Sequence, residues 1–347
     1  MATTWYLLIG FMLTTYAVLD GFDFGVGLLH LIVAKTDEER REVIAAIGPV
    51  WDGNEVWLIA TGGVLVFAFP RAYAAAFSGL YLPLMMVLWL LILRGISIEF
   101  RSKVEHPLWR TGFDTIFAVA SGLMALVLGV ALGNLVRGVP VDASGWFSED
   151  LFTNLDPTGK HLGAIDVFTA LVGLFAVAAL AAHGATYLVW KTTGKVHGRS
   201  ASAARRLWPI VMGLGAILTA ATAFTQPAYF ATFAHRPWVW PLPVIAIAAG
   251  ILGPRAIAQG KESRAFALSC TFIAGLLVAT TATLYPVLLR STIAEEHTLD
   301  AFNASSPRAT LVLGLFIWLP AVALATGYFV YLYRAFRGKV RLEDHSH

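Results

Sequence analysis

Charge is scarce in this chain. Only 14% of its 347 residues are Asp, Glu, Lys or Arg, against roughly 25% in soluble domains. Its 57% hydrophobic content is gathered in runs of about 20 residues, which excludes a soluble globular domain and implies membrane-spanning helices. Cysteine is almost absent. Cys270 stands alone inside an apolar run, so no internal disulfide and no cysteine-based metal site can form. Histidine inside the apolar runs is equally sparse, with only His30 and His183 there. No run offers a His pair or a Met–His arrangement at haem-ligand spacing. His183 reads instead as a satisfied polar residue or helix contact. The net charge of +3 does not mark a nucleic-acid binder, because the basic residues flank apolar runs as membrane-protein loops do. No basic residue precedes the first run and no small-residue cleavage site follows it, so it reads as a retained helix rather than a signal peptide.

What is present is a series of long apolar windows. Nine are expected to span the membrane, over 5–33, 55–76, 79–100, 113–136, 162–190, 207–226, 238–256, 265–289 and 309–333. Irregular backbone is not tolerated against lipid, so all nine are expected as helices. The fold class is therefore an all-α integral membrane protein. Of the 25 Lys and Arg residues, 19 fall after odd-numbered spans and 6 after even-numbered ones. The positive-inside rule then puts the N-terminus outside and the tail RAFRGKVRLEDHSH in the cytoplasm. A short self-similarity lays YAVLDGFDFGVGLL over LAAHGATYLVW, with Asp20-Gly21 opposite His183-Gly184. It suggests two four-helix units, 1–137 and 162–290, joined by an outer loop, 138–161. A further outer loop, a trailing helix and the tail complete the chain over 291–347.

Against this apolar background a few polar residues stand out. In LDGFDFGVG, residues 19–27, Asp20, Asp23 and Gly27 share one helical face, while Gly21 and Gly25 form a separate GxxxG face suited to close helix packing. An ionised carboxylate in a bilayer costs roughly 2.5–3.5 kcal/mol on insertion scales. Two of them imply proton or ion handling, or a basic partner that satisfies them. GPVWDGNEVW, residues 48–57, opens the second span on the same expected inner side. There Asp52 and Asn54 read as helix-capping groups, or Asp52 continues a carboxylate series with Asp20 and Asp23 that passes protons inward. In RGISIEFRSKVEHPLWR, residues 94–110, Arg94 is the deepest basic residue and the best partner for those acids. Arg101, Lys103 and Arg110 read as positive-inside anchors, and Asp114 as a helix-start charge. Asp166 and Asn134, near outer span ends, are open to either a structural or a functional reading.

The motifs DGFDFGVG, GPVWDGNEVWLI, FPRAYAAAFSGLYLPL, RGISIEFRSK with WRTGFD, GNLVRGVPVD, HGATYLVWKTTG and LYPVLLRST with NASS together resemble subunit II of cytochrome bd quinol oxidases. The resemblance is densest over 17–142 and looser from about 205 to 280. It implies a non-haem-ligating subunit of a bacterial plasma-membrane terminal oxidase, which oxidises quinol and reduces oxygen to water. The implied partner is a haem-carrying subunit I that holds haems b and d; quinol and membrane lipid are the other partners, and small accessory subunits are left open. The resemblance makes Asp20, Asp23 and Asp52 a cytoplasmic proton route toward the haem site. It places Trp51 and Arg94 near them as charge partner or as contacts of a bound quinone or lipid. Two other readings stand beside it. A proton-coupled secondary transporter needs matching broken helices in both halves, whereas the first span is acidic and the fifth is not. A purely structural subunit would use the same aspartates only as ion-pair partners.

Overall fold

The computed structural model describes residues 1–152 and 163–340. Residues 153–161 of the expected outer loop, the expected start of the fifth span at 162, and tail residues 341–347 lie outside the described residues. The chain opens on α1 (Ala2–Val33), long enough at about 1.5 Å per residue to exceed the hydrocarbon core. It is followed by α2 (Asp37–Ile47), which lies between the first two expected spans. A capping box starts α2: Thr36 Oγ1 accepts from the Glu39 amide, and Glu39 Oε2 accepts from the Thr36 amide. Its acidic first turn, Asp37 to Glu39, suits the positive end of the helix dipole. Val43, Ala46 and Ile47 turn inward to the core.

The span expected over 55–76 is two helices, α3 (Trp51–Ala68) and α4 (Pro70–Gly79). Pro70 has no N–H to continue the ladder, and its ring disfavours helical backbone at Phe69, so the chain turns there and restarts with proline at N1. Then come α5 (Tyr81–Phe100) and α6 (Pro107–Arg137). After them α7 (Val167–Lys191) starts at a second capping box, between Asp166 and Thr169. The helix expected over 207–226 is the apolar half of the longer α8 (Gly194–Thr225). Short α9 (Pro227–Ala234) leads to α10 (Pro241–Ala258) and α11 (Glu262–Leu284). The last expected residues of the eighth span, 285–289, instead lie beyond the helix end at Leu284, and Val287–Leu289 form strand β1, antiparallel to β2 (Leu299–Asp300). The chain ends on α12 (Arg308–Ala335).

Among the described residues eight helices are long and apolar enough to cross a membrane. The remaining expected span falls on α3 and α4, where Asp52, Asn54 and Glu55 dilute the apolar run. α1 lies at the centre, packed on α3, α6, α7 and α11, and two-thirds of its most apolar window is buried. Its tightest crossing is at Gly25, where an added Cβ would overlap the Leu180 carbonyl and meet Gly184 of α7. Gly184 is equally closed by Gly25. Side chains absent at both positions let two backbones touch. Gly21 packs on the Leu180 side chain of the same helix.

Candidate functional site

Halfway along α1 the packing turns polar. Asp20 and Asp23 are fully buried, and so are Asn54 of α3 and, at 1% exposure, Arg94 of α5. The guanidinium lies over the Phe24 ring, 4.3 Å from its centroid. Arg94 Nη2 donates to Asp20 Oδ1 at 2.7 Å and also to Glu55 Oε1. Asp23, one helical turn from Asp20, does not receive Arg94. Its Oδ2 accepts from Asn54 Nδ2 at 2.8 Å, and the same amide donates to the Leu19 carbonyl at 3.2 Å. Tyr333 of α12 closes the inner side, its hydroxyl 3.4 Å from Asn54 Oδ1. Two carboxyl groups thus share one guanidinium, and a third lies one helical turn away on an amide. Asp20 Oδ2, Asp23 Oδ1, Arg94 Nε and Nη1, the Tyr16 hydroxyl and Trp57 Nε1 are all buried without a direct protein partner. Polar atoms in such number inside a dry core are costly unless water or a mobile proton satisfies them.

The residues singled out in the sequence are divided by the fold. Asp20, Asp23 and Arg94 come together. Asp52 stands apart, exposed in the first turn of α3. Neither Asp52 nor Asn54 caps α3: its N-cap is Val50, which makes no side-chain cap bond. Asn54 is instead the hydrogen-bond donor that holds Asp23. Trp51 is half-buried, its ring 3.4 Å from the position of a Cβ on Gly95, next to Arg94 in the chain. Glu55 was missed. The signal was there, because Trp51 and Glu55 are one helical turn apart and Trp51 had already been placed beside Arg94.

Other polar residues build separate clusters at the two ends of the bundle. At one end Asp114 is no helix-start charge but a fully buried hub. It accepts from Arg101 Nε at 2.6 Å and Arg40 Nη1 at 3.0 Å, with His30 Nε2 2.6 Å away. Arg101, read as a surface anchor, is 1% exposed and also donates to Asp37 at 2.8 Å. Arg110 donates to the other Asp37 oxygen at 2.9 Å. Lys103 stays exposed as an anchor should.

At the opposite end Arg137 donates to Asp166, to Glu149 at 2.6 Å and to Asn134 at 2.6 Å. Asn134 in turn donates to the Ala164 carbonyl at 2.8 Å. Burial pushes the Glu149 carboxyl up to about 7 despite Arg137 beside it. His183 is buried and satisfied at both nitrogens, 2.8 Å from Ser269 Oγ and 2.9 Å from the Val18 carbonyl. Among the described residues no group of three or more His, Cys, Asp or Glu is arranged to hold a metal ion. Among the described residues His183 is held at both ring nitrogens and His30 at Nε2 by Asp114 and neither belongs to a ligand pair, so these two buried histidines do not fit a haem.

The model of the cytochrome bd terminal oxidase subunit II family matches residues 1–336. This chain belongs to that family. Subunit II is thereby part of a membrane oxidoreductase complex, with a subunit I as its partner. It is a multi-pass protein of the bacterial inner membrane. Cytochrome bd-I ubiquinol oxidase subunit 2 of Escherichia coli K12 is 31% identical, with 98% of this chain and 95% of that protein covered. Cytochrome bd ubiquinol oxidase subunit 2 of Bacillus subtilis is 29% identical, covering 97% of this chain and 96% of that protein. A chain in the structure of bd oxidase from Geobacillus thermodenitrificans shares the fold at a TM-score of 0.71 and 18% identity, over 95% of this chain and 98% of that one.

Proposed function

We propose that this subunit II supplies a cytoplasmic proton route toward the oxygen-reducing site in subunit I of a quinol oxidase. Haems b and d of the partner supply the electron transfer and oxygen chemistry. This chain contributes acids that carry protons through the dielectric barrier. The observation that supports the reading most is the meeting of Asp20 and Glu55 on a single Arg94, with Asp23 held by Asn54 one turn away and one oxygen of each aspartate unpaired. A buried carboxyl group avoids its desolvation cost by binding a proton, and a neighbouring guanidinium keeps release accessible. Asp52, exposed, and Glu55, half-buried, then form the entrance, and Asp20 and Asp23 the interior.

The N-outside orientation expected from the basic residues puts that entrance on the cytoplasmic side, from which chemical protons must be drawn to build charge separation. Trp51, half-buried beside Gly95, supports contact with a quinone ring or a lipid at the same flank. The structural reading draws on the direct Arg94–Asp20 pair, which satisfies a charge without moving protons.

Single changes Asp20→Asn, Asp23→Asn and Asp52→Asn in the assembled complex separate the two. Oxygen consumption with quinol is expected to fall about a hundredfold for Asp20→Asn and Asp23→Asn, at the low end for a lost proton-transfer group, with haem spectra unchanged. A smaller loss is expected for the entrance residue Asp52. Full turnover in all three variants, with haems retained, leaves only the structural reading.

A further inference from the structure

Where α7 ends and α11 begins, the bundle holds an open cleft of about 430 Å³, lined chiefly by Trp190, Lys261, Glu262, Arg264 and Lys339. Its size falls within the roughly 300–1,000 Å³ of small-ligand sites. Three separate parts of the chain meet there: the end of α7, the start of α11 and the segment that follows α12. Gly260 and Gly338, both at positive φ, make the turns that put Lys261 and Lys339 on its walls. Three cations thus line the cleft against one carboxylate, and that carboxylate is already engaged. Glu262 Oε2 accepts from Lys339 Nζ, and its Oε1 lies 3.5 Å from His197 Nδ1. Among the described residues no carboxylate pairs with Lys261 or Arg264. Lys339 is fixed in place by a second bond, to the Val189 carbonyl at 2.9 Å. Trp190 is half-buried and stacks on Phe266, centroids 5.2 Å apart, which gives the cleft one rigid apolar side. α7 and α11 are both long and apolar enough to cross a membrane, so a cleft at their ends lies at the depth of the lipid headgroups. The distribution of basic residues assigns that end to the cytoplasm.

We propose that this cleft binds the headgroup phosphate of an anionic phospholipid. Lys261 and Arg264 are the donors to the phosphate oxygens, with charge-assisted hydrogen bonds and, from the guanidinium, a planar fork that suits two oxygens at once. Lys339 adds a third positive charge while staying tied to Glu262. Trp190 packs on the glycerol and the first methylenes of the acyl chains, the place an indole takes at a membrane interface. Basic pockets between spanning helices on the cytoplasmic side are suited to anionic headgroups in general. A zwitterionic lipid brings its own quaternary or primary ammonium toward the same three cations, so the cleft selects by net charge. These residues are separate from Asp20, Asp23 and Arg94, and the site stands or falls independently of the proton route. A lipid seated there would join α7, α11 and the segment after α12, beside the Lys339–Glu262 pair that links two of them.

The test uses the assembled oxidase, washed free of lipid in detergent and titrated with dioctanoyl phosphatidylglycerol. Bound lipid is counted by native mass spectrometry, and the thermal midpoint is followed alongside. The parent is expected to hold a phosphatidylglycerol that Lys261→Gln/Arg264→Gln binds roughly thirtyfold more weakly, the loss expected for two basic residues at a lipid surface. Arg205→Gln/Arg206→Gln makes the same change of charge at an exposed pair on α8 outside the cleft, and should bind as the parent does. Equal weakening in the two double variants, or none in either, overturns the site, because the lipid would then respond to diffuse surface charge or to other residues. Dioctanoyl phosphatidylcholine and inorganic phosphate are the competing probes. Phosphatidylcholine binding the parent as tightly overturns selection by charge, and phosphate displacing the lipid at equal concentration overturns a lipid in favour of a free anion. Should Lys261→Gln/Arg264→Gln not assemble, each change is measured singly, with about a fivefold loss expected. Affinity matching the parent in both single variants overturns the proposal.

Discussion

Removing the Arg94 guanidinium would leave Asp20 and Glu55 facing one another with no counter-ion, and Asp23 one turn away. Breaking a buried ion pair by deleting one partner costs about 3–5 kcal/mol, because the surviving charge stays buried. Arg94→Leu is therefore expected to lower the thermal midpoint of the complex or to abolish its recovery. Arg94→Leu combined with Asp20→Asn should recover part of the loss, since the double change leaves fewer stranded charges. A double variant no more stable than Arg94→Leu alone would show that the pair does not set the stability here. Asp20, Asp23 and Arg94 were legible in the sequence because charge inside an apolar run is rare and has to be matched. Asn54 and Glu55 were less so. They sit among Trp51, Asp52 and Gly53 at a helix start, where polar residues have an ordinary local use as caps, and only tertiary packing shows that they turn inward.

At the scale of elements, the α1–α7 crossing depends on two absent side chains. Gly25→Val would drive a branched side chain into the Leu180 carbonyl and the Gly184 backbone. Backbone cannot move aside as a flexible side-chain end can, so loss of the assembled complex on membrane extraction is expected. Gly213→Ala on α8, where a Cβ meets nothing within 4 Å, is the matched control. It should be neutral or gain up to about 1 kcal/mol from helix propensity. Equal yields of the two variants would show that the crossing tolerates separation. The GxxxG spacing announced this face before any partner was known. Other element boundaries were hidden for local reasons. Hydropathy continues smoothly through Phe69-Pro70, so a window sees one span where the backbone makes two helices. α2 is too polar to register in an apolar scan, although Thr36 and Glu39 carry its capping signal.

For the whole molecule, charge is concentrated at the two ends of the bundle as well as at its middle. The Arg137 cluster holds Glu149 and Asp166 against the end of α6, where Glu149 is raised from 4.5 to about 7 chiefly by burial. A carboxyl group raised on folding favours the folded state while protonated. Its contribution is full below pH 4.5 and is lost as pH rises through 7. Thermal midpoints of the complex should therefore contain a component that declines between these values, and Glu149→Gln should flatten it. An unchanged pH profile in that variant would remove Glu149 as its source. Lys339 and Val340 reach back to the end of α7, where Lys339 Nζ donates to the Val189 carbonyl at 2.9 Å and the Val340 amide to the Lys191 carbonyl at 2.7 Å.

The two end clusters share one long element: α6 carries Asp114 near its start and Arg137 at its close. In mechanical terms they are hoops around a barrel. One ties α1, α2, α5 and α6 at one rim, and the other ties α6 to the segment entering α7 at the opposite rim. Between these two ties α1, α6 and α7 pack on one another along their length. Fewer contacts within the chain hold α12 and α8, whose apolar windows are each only 11% buried. α12 and α3 reach the acids through Tyr333, Asn54 and Glu55. The side chains that hold Asp23 and Arg94 therefore come from outside the ion-paired rims as well as from α1, so the acids are tied to both parts of the bundle.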